Sequence, residues 1–560
     1  MLGCTALAIT GTISPVSAAD ITWKGGDGNW TVGPNWEGDA APGTGDNIFV
    51  DGDKPVDSTV TVNTSPTIGT LTISAGDTVA IQNTRTFTLG GDLFNAGVLV
   101  LNSVGSLTDL VLGGSATFSG GGVLALSNAA NNRVYGSPTT SVLTNASDHT
   151  IRGSGQFGIG LMGLINEGVI LADQGTGLTV QLNNADGIAR ANQGTMRASD
   201  GATLTIVNTD IDNTGGLIEA LDGSTVALNG SRITAGTLRT AGDGVVTLQS
   251  SATLEDLTNE GLVRINNAFT GRIEGTIDNT GEIRLNSIGS TTELVILDDV
   301  TLAGDGVLSM SNVAVNRIFG NAATNVLTNT SDHTIRGSGQ LGVNSMGLIN
   351  QGLILADQSA GLTVQLNNAD GIERVNEGTM RASDGATLTI ASTNLDNTGG
   401  LIEALDGSTV ALNGSRITAG TLRTEGDGVV TLVNATLEDL ANEGLVRINN
   451  AFSGRLEGTI DNIGEIRLNS VGSTTDLRVE GNVTLAGDGV LSMSNVAVNR
   501  IRGNAATNVL TNTSDHTIRG SGQLGVNSMG LINEGVIEGD GTVALVIDPT
   551  DALTVENRAG

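Results

Sequence analysis

The chain has little of what usually anchors a globular core. Aromatic residues fill 2% of its 560 positions, so a core built on phenyl and indole rings is excluded. Lysine occurs only at Lys24 and Lys54, and every other basic residue is arginine. Cys4 is the sole cysteine, which rules out an intrachain disulfide and a cysteine-based metal site. Positive charge is scarce: 26 Lys and Arg stand against 58 Asp and Glu, a formal net charge of -32. Such a chain repels phosphate backbones and anionic membrane surfaces, so nucleic acid is not an expected partner. Beyond the N-terminus, no segment has the ~18 continuous apolar residues of a membrane-spanning helix.

Small and aliphatic residues dominate instead. Glycine numbers 81 and hydrophobic residues reach 38%, mostly Leu, Ile, Val and Ala, which is too many for a disordered chain. The composition implies a thin aliphatic core running through most of the length. The first 19 residues, "MLGCTALAITGTISPVSAA", form an apolar run ending in small residues, as a secretory signal does. Cleavage is expected after Ala18 or Ala19 and would remove Cys4. The run lacks a positively charged start, so the natural start is expected upstream of Met1.

Self-similarity organises the rest. "GSLTDLVLGGSATFSGGGVLALSNAANNRVYG" begins at Gly105, and related segments begin at Gly289 and Gly472. These define units at residues 105–288 and 289–471 and a partial unit at 472–560. Residues 63–104 read as earlier coils of the same kind, and residues 20–62 as a separate tryptophan-bearing segment. Residues 212–240 are identical to 396–424. A shorter rhythm runs inside each unit: Asn-x-Gly followed by an alternating strand, at Asn166, Asn192, Asn213, Asn259 and Asn279. The intervals are 26, 21, 46 and 20 residues, and the 46 reads as two coils of 23.

Registering these strands on their glycines separates two faces. Ile170, Met196, Ile218, Val263 and Ile283 share one column, and Ala172, Ala198, Ala220, Ile265 and Leu285 share a second. Between them stand Leu171, Arg197, Glu219, Arg264 and Arg284. Apolar residues flanking a mostly charged column give a period of two with one buried face. Coils of 20–26 residues with short strands, Gly/Asn/Asp turns and no helical periodicity predict a right-handed parallel β-helix of roughly 20 coils. The asparagines are expected at left-handed turns, bonded to the same residue one coil above. The glycine two places on is expected at positive φ, and "GDG" at Gly242, Gly304, Gly426, Gly487 and Gly539 marks a further turn.

Three features invite a functional reading. "SDHTIRGSGQ" begins at Ser147, Ser331 and Ser514 and holds all three histidines, His149, His333 and His516. Asp148, Arg152 and Ser154 beside His149 have the composition of a catalytic constellation. Yet the copies lie 184 and 183 residues apart, eight coils or ~38 Å, and adjacent strand residues point to opposite faces. A repeated structural role is expected and catalysis is not. Trp23, Trp30 and Trp36 could form a glycan-contacting platform if exposed; a cap over the first coil, which shields an open sheet edge, is favoured. The acidic surface allows weak Ca2+ binding, densest at residues 50–57, but carries no dedicated calcium loop, and no cofactor is expected.

The Asn-x-Gly-x-Ile rhythm, with the opening "W…GNW…NW…AP…D" and "TIGTLTISAGDTVAI", resembles the passenger regions of bacterial autotransporters and related surface-exposed β-helix proteins. That resemblance implies an exported stalk or adhesin-like surface, secreted or at the bacterial cell surface, facing cell-surface or extracellular macromolecules, glycans among them. Autotransporters also carry a C-terminal translocator barrel. This chain stops at "ALTVENRAG", so a longer parent protein is expected. A carbohydrate-binding or carbohydrate-degrading β-helix is the alternative.

Overall fold

A computed structural model describes residues 18–52, 54–553 and 556–558. The expected signal at residues 1–19, including Cys4, lies almost wholly outside the described residues. Contacts divide the chain into two compact units, Met1–Thr205 and Ile206–Gly560, a division that does not coincide with the sequence-repeat boundaries.

Each unit is a parallel β-solenoid, with about 23 turns in all. The described residues hold no α-helix, only a short 3-10 turn at Gly33–Asn35. Most strands pair with the third strand after them, so a turn contributes one strand to each of three parallel sheets. In the first unit Thr150–Gly153, Val169–Ala172 and Thr195–Ala198 stack directly, placing Ile151 under Ile170 and Ile170 under Met196. In the second, Val263, Ile283, Leu308, Ile335 and Ile354 succeed one another in register. All of these side chains are fully buried. Each removes an aliphatic group from water, worth about 1.5–3 kcal/mol; no coil could bury them without its neighbours.

The alternation read from sequence is the one observed. Ile218, Val263 and Ile283 are buried, while Arg264 and Arg284 lie outside and half-buried. Glu219 departs from its column: it is 3% exposed. Arg239, its register partner on the next coil, closes over it with Nε donating at 2.8 Å.

The asparagine ladder forms, with different turn geometry from that expected. Asn145 Nδ2 donates to Asn166 Oδ1 at 2.8 Å, and Asn166 Nδ2 to Asn192 Oδ1 at 2.7 Å. Asn329, Asn350, Asn376 and Asn397 repeat the chain at 2.8, 2.7 and 2.6 Å. None of these asparagines has positive φ. Nor, with the exception of Gly215 at φ 75, do the glycines two places on from the five asparagines. Their reason is proximity: a Cβ on Gly281 would stand 2.2 Å from the Gly261 carbonyl oxygen directly beneath. Stacked turns approach too closely for any side chain.

Residues 20–62 carry parallel strands continuous with the solenoid, Ile48 registering with Leu71 and Val60 with Val79, and they hold the tryptophan cluster. Trp23 and Trp36 meet edge to face with centroids 4.8 Å apart, Trp30 packs on Trp36 at 4.9 Å, and Trp30 meets the buried Phe87 at 5.7 Å.

Candidate functional site

The histidine motif dissolves into separate contacts between coils. In the first copy the Asp148 carboxylate accepts the Gly120 N–H at 3.0 Å. Arg152 forms an ion pair with Asp173 on the next coil. The Ser154 hydroxyl lies 3.4 Å from Asn128 Oδ1. His149 faces none of them.

The imidazoles belong to the ladder. His149, His333 and His516 are 1%, 0% and 0% exposed. Their Nδ1 atoms lie 2.8, 2.7 and 2.7 Å from Oδ1 of Asn145, Asn329 and Asn512. Their Nε2 atoms lie 3.3, 3.0 and 3.0 Å from Nδ2 of Asn95, Asn279 and Asn462. Asn145 spends its Nδ2 protons on His149 O and Asn166 Oδ1, so Nδ1–H of the ring donates to Asn145 and Nε2 accepts from Asn95. A neutral ring satisfies this pattern and a charged one does not. Burial accordingly pushes all three pKa values down to about 4.

The coil between the two asparagines creates the gap. Leu302 registers on Ile277 below and under Asn329 above; Phe118 and Leu485 hold the same place in the other copies. That coil carries no carboxamide at the rung, and the histidine ring spans it. The sequence signal was available: each histidine lies 54 residues after the asparagine it reaches.

The tryptophans do not offer a platform. Trp23, Trp30 and Trp36 are 1%, 1% and 0% exposed. Their ring faces pack on one another, and two of their N–H groups are spent on backbone: Trp23 Nε1 donates to Gly26 O and Trp36 Nε1 to Trp30 O, both at 2.8 Å. A sugar ring has no flat apolar face to stack on there. Both lysines serve the same segment, Lys24 pairing with Asp39 and Lys54 donating to Trp23 O.

Around residues 50–57, Asp51 accepts the Ser58 hydroxyl and Asp77 the Ser58 N–H at 2.7 Å. Burial, then the nearby Asp51 and Asp57 charges, raise the Asp77 pKa against the Ser58 bond. Among the described residues no group of three or more His, Cys, Asp or Glu is arranged to hold a metal ion.

Arginines act mainly as clamps between coils. Arg232 bonds Glu255 and Glu274 at 2.6 and 2.7 Å, and Arg416 bonds Glu438 and Glu457 both at 2.7 Å. Burial alone would raise the Glu255 carboxyl, but the bonds from Arg232 and Thr234 outweigh it and hold the pKa below the usual value. Glu438 behaves alike with Arg416 and Thr418.

A surface groove of about 520 Å³ in the second unit is lined by Glu282, Arg284, Ser309, Arg336 and Gln358 among others. Arg284, Ser309 and Arg336 occupy successive coils in one register. Arg284 holds Glu282 by two bonds, at 2.8 and 2.6 Å, and the Ser309 hydroxyl donates to the same carboxylate at 2.5 Å. The outward column found from sequence contained Arg264 and Arg284; carrying its register two coils further would have reached Ser309 and Arg336.

No helix among the described residues is long and apolar enough to cross a membrane. No known protein-family profile matches the chain. A relative, "Outer membrane protein A" of Rickettsia rickettsii, is 24% identical over 526 residues, covering 82% of this chain. The chain spans about a fifth of that relative's length, 21%; it is similar to part of a bacterial outer membrane protein.

Proposed function

We propose that the chain is the extracellular solenoid of a bacterial surface protein, an autotransporter-passenger-like stalk or adhesin surface that performs no catalysis. The observation carrying this reading is the use to which the repeated polar residues are put. The one motif with catalytic composition recurs three times, and in its first copy Asp, His, Arg and Ser each enter a different contact with another coil. An enzyme concentrates convergent groups at one place, whereas a spacer repeats the same surface along its length. Similarity to an outer membrane protein supports the location. Secretion by an N-terminal signal fits the apolar run at residues 1–19.

The test is display. An antibody raised against the solenoid should label intact cells, and protease added outside should remove the epitope. Labelling only after permeabilisation would contradict the reading, as would turnover of a polysaccharide by the purified chain.

A further inference from the structure

We propose that the outward column of Arg264, Arg284 and Ser309, together with its copy at Arg447, Arg467 and Ser492, binds a carboxylate-bearing polysaccharide. This goes beyond surface display and does not depend on it. Three observations lead there.

The first is an arginine without a partner in a chain of net charge -32. Arg264 stacks in register beneath Arg284, and its half-buried side chain has a buried Nε with no hydrogen-bond acceptor. Arg447 beneath Arg467 repeats both features. Among the described residues neither guanidinium has an ion-pair partner, although most other arginines of the solenoid are clamped to carboxylates. A desolvated N–H left without an acceptor is costly unless a ligand supplies one.

The second is the carboxylate already in the groove. Glu282 sits on Arg284 in a two-bond fork and takes the Ser309 hydroxyl; Glu465 repeats this on Arg467 and Ser492, with fork distances of 2.9 and 2.8 Å. The column thus already presents planar carboxylates to guanidinium in the two-bond geometry that it recognises. A uronate carboxylate would take the equivalent fork on Arg264.

The third is the lining along the stacking direction. Coils rise ~4.8 Å each, a step close to one sugar residue, and the groove that continues from Arg284 is lined also by the Ser309 hydroxyl and the Asn286 and Gln358 carboxamides. Hydroxyl and carboxamide groups suit a hydroxyl-rich chain. The first unit supplies an internal contrast, since its corresponding groove has Val100 and Ala125 where the second has Arg284 and Ser309.

The full chain should be titrated calorimetrically with oligogalacturonate, with neutral maltooligosaccharide and poly-glutamate as comparisons. The expected result is two sites per chain, weakened by salt, with no binding of maltooligosaccharide. Arg264→Gln and Arg447→Gln should each remove one site and the pair both, while Arg272→Gln, at an exposed arginine outside the column, should leave both. Arg264→Lys keeps the charge but loses the fork, and should weaken its site about tenfold, or 1.4 kcal/mol; circular dichroism confirms that each variant is folded. Absence of oligogalacturonate binding, binding unchanged in the folded double variant, or equal affinity for poly-glutamate would each overturn the proposal.

Discussion

His333 reaches past a whole coil: its Nε2 lies 3.0 Å from Nδ2 of Asn279, 54 residues earlier. On its other side Nδ1 lies 2.7 Å from Asn329 Oδ1. The ring therefore completes a ladder that the intervening coil would break, and the same rung is built at His149 and His516.

That rung makes the fold acid-sensitive in a defined window. The folded pKa values, about 4, lie below the ordinary 6.5, so between these limits the unfolded chain binds protons that the folded one excludes. Stability is full above about pH 6.5 and falls as pH drops toward 4, by up to about 1.4 kcal/mol per pH unit for each ring. At pH 7, His149→Gln, His333→Gln and His516→Gln should each cost about 1–3 kcal/mol through an unpaired buried carboxamide, by similar amounts. In chemical denaturation between pH 7 and 4.5, each substitution should also lower the histidine share of the pH dependence by about a third, the part due to depressed carboxylates such as Glu255 and Glu438 remaining. A steeper pH dependence in any variant would contradict the rung.

The interior tolerates no charge. Ile283→Asp places an unpaired carboxylate among fully buried Val263 and Leu308, and should cost several kcal/mol, about 3–5. Arg284→Gln, one residue on and outside, should change stability by only about 0.5–1 kcal/mol. Denaturant midpoints of the two variants check this. Reversed magnitudes would mean that the strand register is displaced by one residue.

Glu403 lies between arginines of the coils on either side: its side chain is 1% exposed, and Arg381 and Arg423 both bond it. Either arginine alone can neutralise it. Arg381→Gln and Arg423→Gln should therefore each cost about 1 kcal/mol or less, and the double variant more than their sum, because an uncompensated buried carboxylate remains. A double-mutant cycle measures the excess, and strict additivity would contradict the clamp.

Much of this was legible in the sequence. Alternation around Ile170, Val263 and Ile283 reveals the buried face because period two has only two solutions, and glycine registration selects one. The Asn166 and Asn192 spacing revealed the ladder. The glycine role was not legible: positive φ and close approach both demand glycine, and only the stacked Gly261 and Gly281 backbones distinguish them. The histidine rung was hidden for a related reason. Its partner Asn279 lies beyond an intervening coil, and a reading confined to the neighbours of His333 sees Asp332 and Arg336. The burial of Trp23, Trp30 and Trp36 depends on how the chain folds over the first coil, which no periodicity encodes.

The most direct measurement is nitrogen-15 NMR of the histidine side chains across a pH titration. Three neutral rings protonated at Nδ1 and titrating together near pH 4 are the expected result. One ring titrating near 6.5 or above, apart from the other two, would contradict a shared structural rung and return the motif to the candidates for chemistry.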